Sequence, residues 1–161
     1  MTQQLHFYDA ANSHNVPSGV HAAVYVNGFA WAESEVKRMA RIFRVSVRSD
    51  ARWARLARCI DIEAGAARPA DAVSFIRHRR AIGFPDSTCY VNRSNWQEVY
   101  ERVRHANLPE PLWWVATLDG TRQVALSIAG RTVAHAWAVQ FETVNGFDLS
   151  VLHGNDNFVR P

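Results

Sequence analysis

The feature that most constrains this chain is a rhythm. Short apolar runs of strand length alternate with polar runs of helical period as far as residue 105. Leu5–Asp9 reads as a first strand and Asn12–Gly19 as a turn-rich connector. His21–Val26 is a second strand, followed by a short helix over Glu33–Arg41. Ile42–Val47 alternates as a third strand, and Ser49 is placed to cap a helix running through Ala57. Arg58–Glu63 is strand four. Pro69 sits in a first helical turn, where its missing N–H leaves no bond unmade, and that helix runs to about Ala81 before Gly83 stops it. Thr88–Asn92 is strand five, and Ser94-Asn95-Trp96-Gln97 has the form of a capping box that opens a helix to about His105.

Beyond His105 the rhythm breaks. Leu112–Leu118, Val133–Phe141 and Phe147–Leu152 are strand-like, with Val124–Ile128 as an extra strand, and no helical period separates them. Five strand–helix units followed by three strands imply a mostly parallel sheet with covered faces. Eight strands in that order predict a closed barrel. A complete eightfold α/β barrel takes about 200 residues or more. At 161 residues the expectation is a trimmed, irregular TIM-like α/β barrel that has lost its last helices and forms a single domain, 1–161.

Several classes are excluded or disfavoured at once. No apolar run approaches the roughly 20 residues that span a bilayer, so no membrane partner is expected. The opening MTQQLHFYDA has no basic start followed by an apolar stretch, so it reads as lacking a secretory leader. Action outside a cell would then need another carrier. Cys59 and Cys89 are too few for a disulfide framework and read as buried thiols. The seven histidines show no paired ligand spacing, so neither a metal nor a cofactor is expected.

The net charge is +3, and all the Lys+Arg residues except Lys37 are arginine. Between Arg38 and Arg58 they recur every three or four residues, at 38, 41, 44, 48, 52, 55 and 58. This reads as the solvated outer face of two short helices. Without a helix-turn-helix, zinc-knuckle or glycine-rich loop pattern, nucleic acid is not the expected partner.

Chemistry concentrates on strand four, Cys59-Ile60-Asp61-Ile62-Glu63. Side chains two apart on a strand share a face. Asp61 and Glu63 therefore point together toward the barrel axis, while Ile60 and Ile62 face outward under helices. The carboxylates lie at the C-terminal end of the strand, where barrels of this kind carry their active sites. Two acids on one inward face cannot both ionise freely, so one pKa is expected to rise. A raised carboxyl can protonate a leaving group while a charged neighbour stabilises the transition state, as glycosidic cleavage requires. Asp9 ends the first strand and Asp148 begins the last, which a closed barrel makes neighbours. Tyr8, Tyr25, Tyr90, Trp113, Trp114 and Trp137 fall on or near strands, and aromatic faces stack on sugar rings.

These residues resemble a known family. Phe7-Tyr8-Asp9, Ile60-Asp61-Ile62-Glu63, Val139-Gln140-Phe141 and Phe147-Asp148-Leu149-Ser150 are similar, in order, to the motifs of family 25 glycoside hydrolases. The likeness is strongest to the shorter family-25-like domains (the DUF1906 type) of actinobacteria and their phages. The resemblance implies an irregular barrel of five strand–helix units and three strands. It also implies lysozyme-like N-acetylmuramidase activity on peptidoglycan glycan strands. By resemblance, Glu63 is the general acid, and Asp61 stabilises or orients the N-acetyl group in a substrate-assisted, retaining step, through either a covalent bond or an oxazolinium ion. Asp9 and Asp148 flank the acidic mouth, Gln140 is the polar residue of the penultimate strand, and Tyr25, Tyr90 and Trp114 are subsite walls. The alternative is a non-catalytic barrel: a glycan-binding module, or a decoration or tail component among other virion proteins.

Overall fold

The computed structural model describes residues 4–161; residues 1–3, part of the leader reading, lie outside it. The strands are β1 (His6–Asp9), β2 (His21–Tyr25), β3 (Arg41–Ser46), β4 (Cys59–Ile62), β5 (Thr88–Asn92) and β6 (Leu112–Ala116). They are followed by β7 (Ala125–Ile128), β8 (Arg131–His135), β9 (Ala138–Val144) and β10 (Phe147–Leu152). The helices are α1 (Glu33–Lys37), α2 (Ala51–Leu56), α3 (Pro69–Ala81) and α4 (Trp96–His105). Eight strands close into a barrel in the order β1-β10-β9-β6-β5-β4-β3-β2. The expected trimmed TIM-like α/β barrel is therefore the observed architecture.

The trimming takes three forms. The first unit has no α-helix: a 3-10 turn at Ser13–Asn15 bridges β1 and β2. The last barrel strand, β10, runs antiparallel to both of its neighbours, whereas the other neighbouring pairs are parallel. Its direction is set by the tight turn at Asn145 and Gly146, both at positive φ, 51° and 82°. That two-residue geometry suits a hairpin. Finally, the predicted strand Val133–Phe141 breaks at Ala136-Trp137. Its first part is β8, which pairs with β7 in a separate two-stranded sheet outside the barrel, and its second part is the barrel strand β9.

Two caps differ from expectation. Asp50, not Ser49, starts α2, its Oδ1 accepting from the Arg52 N–H at 3.1 Å; the Ser49 hydroxyl turns to Asp71 Oδ1. The Ser94/Gln97 capping box does not form. Asn95 precedes α4 without a side-chain cap, and Asn92 Oδ1 collects both the Asn95 N–H and the Ser94 hydroxyl, at 2.9 and 2.7 Å. Gln97 donates along the helix to Glu101 instead.

Alternation divides the apolar residues into two layers. Phe7, Phe43, Val45, Cys59 and Trp114 fill the barrel interior. Ile60, Ile62, Val91 and Trp113 face outward and pack with Phe75, Ile76, Trp96 and Val99 of α3 and α4. Burying a side chain of this size contributes about 1.5–3 kcal/mol, so strand parity is firmly enforced. The tail returns to close the N-terminal end of the barrel. Phe158 is 2 % exposed and its ring lies 5.0 Å from Phe7 and 5.6 Å from Phe43. Arg41 anchors the tail through Asp156 and the Phe158 carbonyl.

Candidate active site

Register places the acids. Asp9 on β1 lies directly opposite Asp148 on β10, and opposed residues share a sheet face. Asp61 on β4 points inward, flanked by Tyr90 on β5, while Ile60 and Ile62 take the outward face as expected. Glu63 stands one residue beyond the end of β4, at the C-terminal mouth.

A hydrogen-bonded layer joins the inward groups. Tyr25 donates its hydroxyl to Asp61 Oδ2 at 2.9 Å. Across the barrel, Tyr90 donates to Gln140 Oε1 at 2.8 Å. The Gln140 amide in turn donates to both Asp9 oxygens at 3.2 Å. Gln140 therefore bridges β5 to β1 through the interior. Asp61 Oδ1 is buried and has no partner among the described residues.

Exposure separates the acids into two tiers. Asp9 and Asp61 are 4 % and 0 % exposed, whereas Glu63 and Asp148 are only partly buried. Burial raises the pKa of all four. Asp61 is lifted to about 7, first by desolvation and then by the Glu63 charge, with the Tyr25 hydrogen bond pulling the other way. Asp9 is pushed well above the usual carboxylate range by burial and by Asp148, against the Gln140 hydrogen bond. Glu63 is raised by burial and by Asp148. Asp148 is raised by burial, offset by the Thr143 hydroxyl that donates to it. The acids from both termini and from mid-chain thus act electrostatically as one cluster.

The aromatic residues need correction. Trp114 is not a subsite wall. It is 1 % exposed, lies one layer below the mouth against Phe7 and Tyr90, with ring centroids 5.1 and 4.7 Å away, and donates its indole N–H to Ser150. Tyr25 and Tyr90 line the cluster but turn their hydroxyls onto Asp61 and Gln140, so they hold the acids in place. Trp113, the neighbour of Trp114, faces the opposite way, against Trp96. Trp137 lies low in the interior, 5.3 Å from Phe43. One aromatic outside the sequence-based set, Phe29, stands beside the cluster. It is 45 % exposed and meets Tyr25 edge-on at 5.6 Å. Its one signal was a large apolar side chain in the loop after strand two, the usual position of binding residues in such barrels.

Neither thiol belongs to the site. Cys59 and Cys89 are both free and buried, and burial pushes both pKa values up. Among the described residues no group of three or more His, Cys, Asp or Glu is arranged to hold a metal ion.

The fold and site together define a class: a closed, irregular α/β barrel with carboxylates gathered at the C-terminal mouth. No family model matches the chain, and no curated protein matches it. Among solved structures it is similar to GHIP, a glycosyl hydrolase 25 of Streptococcus pneumoniae described as a virulence factor participating in host cell invasion. The match covers 97% of this chain and 89% of that one, at a TM-score of 0.51 and 10% sequence identity. The chain therefore has a family-25-like barrel fold.

Proposed function

We propose that this barrel is a lysozyme-like glycoside hydrolase that acts as an N-acetylmuramidase on the glycan strands of bacterial peptidoglycan. The observation that carries the reading is the cluster of four acids, buried to different depths around one barrel mouth and all raised in pKa. Glu63 is the general acid. It is the mid-chain carboxyl that is only partly buried, and its raised pKa favours the protonated form that a leaving oxygen needs.

Asp61 is the supporting acid. Tyr25 fixes its Oδ2 and its Oδ1 is buried beneath the mouth, so Asp61 supports a substrate-assisted, retaining step through its charge and not by touching the sugar. Asp148 raises the Glu63 pKa and so favours its proton, while Asp9 is tied to Gln140 deeper in the barrel. Phe29 offers an apolar face at the rim for a sugar ring.

The test uses purified peptidoglycan. Reducing ends are counted, and the newly exposed terminal sugar is identified by mass spectrometry, for the wild-type chain and for Glu63→Gln. New muramic-acid ends from the wild type, reduced by at least about a hundredfold in the variant, are expected. Equal rates would remove Glu63 from the mechanism. Binding to walls without release of fragments would replace the enzyme with a glycan-binding barrel.

A further inference from the structure

The arginine series between Arg38 and Arg58 plays no part in the acid mouth. Arg38, Arg41 and Arg58 are paired with Glu35, Asp156 and Asp86. Among the described residues, Arg44 and Arg55 form no ion pair, and both are exposed. They converge with Arg58 and Arg79 on a cleft of about 110 Å³. The cleft sits where β3 and β4 begin, at the opposite end of the barrel from the acids.

This cleft holds more positive charge than its own residues neutralise. Arg79 is 6 % exposed and donates to the carbonyls of Ala54, Ala57 and Asp86. Burial, and then the neighbouring Arg58, push its pKa down to about 10. The Nε of Arg58 is buried with no partner among the described residues. Asp86 pairs with Arg58 from an exposed position.

The rim is apolar. Leu56, Phe84 and Val159 line the cleft at 50 %, 47 % and 49 % exposure, and they are half of the six large apolar side chains exposed among the described residues. Scattered exposed hydrophobes need no explanation, but a cluster rimmed by charge marks an interaction site. Guanidinium groups alone would suit any polyanion. A phosphodiester backbone, however, offers nothing to cover Leu56, Phe84 and Val159. The cavity is also too small for a drug-sized ligand, whose pockets run about 300–1,000 Å³. It has the scale of one inserted side chain.

We infer that this cleft is a docking site for an extended acidic segment of a partner protein. One large apolar side chain of that segment seats against Leu56, Phe84 and Val159, and flanking carboxylates pair with Arg44, Arg55 and Arg58. Arginine matches carboxylates with two parallel hydrogen bonds, and arginines beside aromatic residues are typical anchors of protein interfaces.

Fluorescence anisotropy tests this with three labelled probes on the full chain. One is a capped peptide with about six acidic residues around a central Phe. The second carries Ser in place of that Phe, and the third is an oligothymidylate of matched charge. The variants are Arg55→Glu and Leu56→Ser, both at exposed positions, with a circular dichroism melt of each to show that it folds. The Phe peptide is expected to bind with a Kd below about 1 mM at low salt, and the Ser peptide about tenfold more weakly. Each variant is expected to weaken the Phe peptide by about tenfold, and Leu56→Ser to leave the Ser peptide unchanged. Equal affinity for the two peptides, equal or tighter binding of the oligothymidylate, or no binding of the Phe peptide would each overturn the inference.

Discussion

Asp61→Asn is predicted to stabilise the protein at pH 8 relative to pH 4. Asp61 is fully buried and its pKa is lifted from 3.8 to about 7. In the unfolded chain the same carboxyl ionises near pH 4. The folded state therefore binds the extra proton between those two values, and stability falls as pH rises from about 4 to about 7. Below that window both states are protonated and the cost vanishes; above it the cost is complete. At 1.36 kcal/mol per pKa unit, the lift corresponds to about 4 kcal/mol. Asparagine keeps the shape and still accepts from Tyr25, but it cannot ionise. Its amide faces the position of the unpartnered Oδ1, at a cost of about 1–3 kcal/mol. That cost does not depend on pH, so comparing two pH values cancels it. Urea unfolding of both proteins at pH 4 and pH 8, read as midpoint shifts at constant slope, is expected to favour the variant by about 4 kcal/mol more at pH 8 than at pH 4. A pH-independent difference, or a wild-type protein that gains on the variant toward pH 8, would refute the reasoning.

Other perturbations probe the same frame. Tyr25→Phe removes the hydrogen bond that favours the ionised form of Asp61 against its burial; the Asp61 carboxyl titration, followed by carbon-13 NMR, is expected to move up by about one pH unit or more, and an unchanged titration would contradict the bond. Phe158→Ala empties the plug at the N-terminal end of the barrel and is expected to cost about 3–5 kcal/mol in thermal or urea unfolding. A loss below about 1 kcal/mol would show that the tail is not part of the core.

Much of the barrel was legible because a strand's parity fixes which side chains are buried. Ile60 and Ile62 had to face the helices, and that put Asp61 on the opposite face with Glu63 just beyond the strand end. Closure then made Asp9 and Asp148 opposing residues. The adjacent tryptophans were not legible in this way. Trp113 and Trp114 are chemically identical, and only the register with Tyr90 and Ala138 decides which one enters the barrel. The caps failed for a related reason: Ser94 and Asn92 both offer an oxygen near the start of α4, and the path of the chain out of β5 selects Asn92. The break before β9 and the return of Phe158 depend on contacts distant in sequence, which no local period records. The antiparallel course of β10 did have a local sign in Asn145-Gly146, a favoured two-residue hairpin turn.

The central claim, that the mouth acids cleave a glycosidic bond with Glu63 as proton donor, is tested most directly by a pH profile. The rate of reducing-end release from peptidoglycan is measured alongside the carbon-13 titration of the Glu63 carboxyl in the same protein. Because Glu63 must carry its proton to act, activity is predicted to be present below its raised pKa and to fall as pH passes through it. A protein inert at every pH, or one whose activity falls at a pH unrelated to the Glu63 titration, would contradict the account.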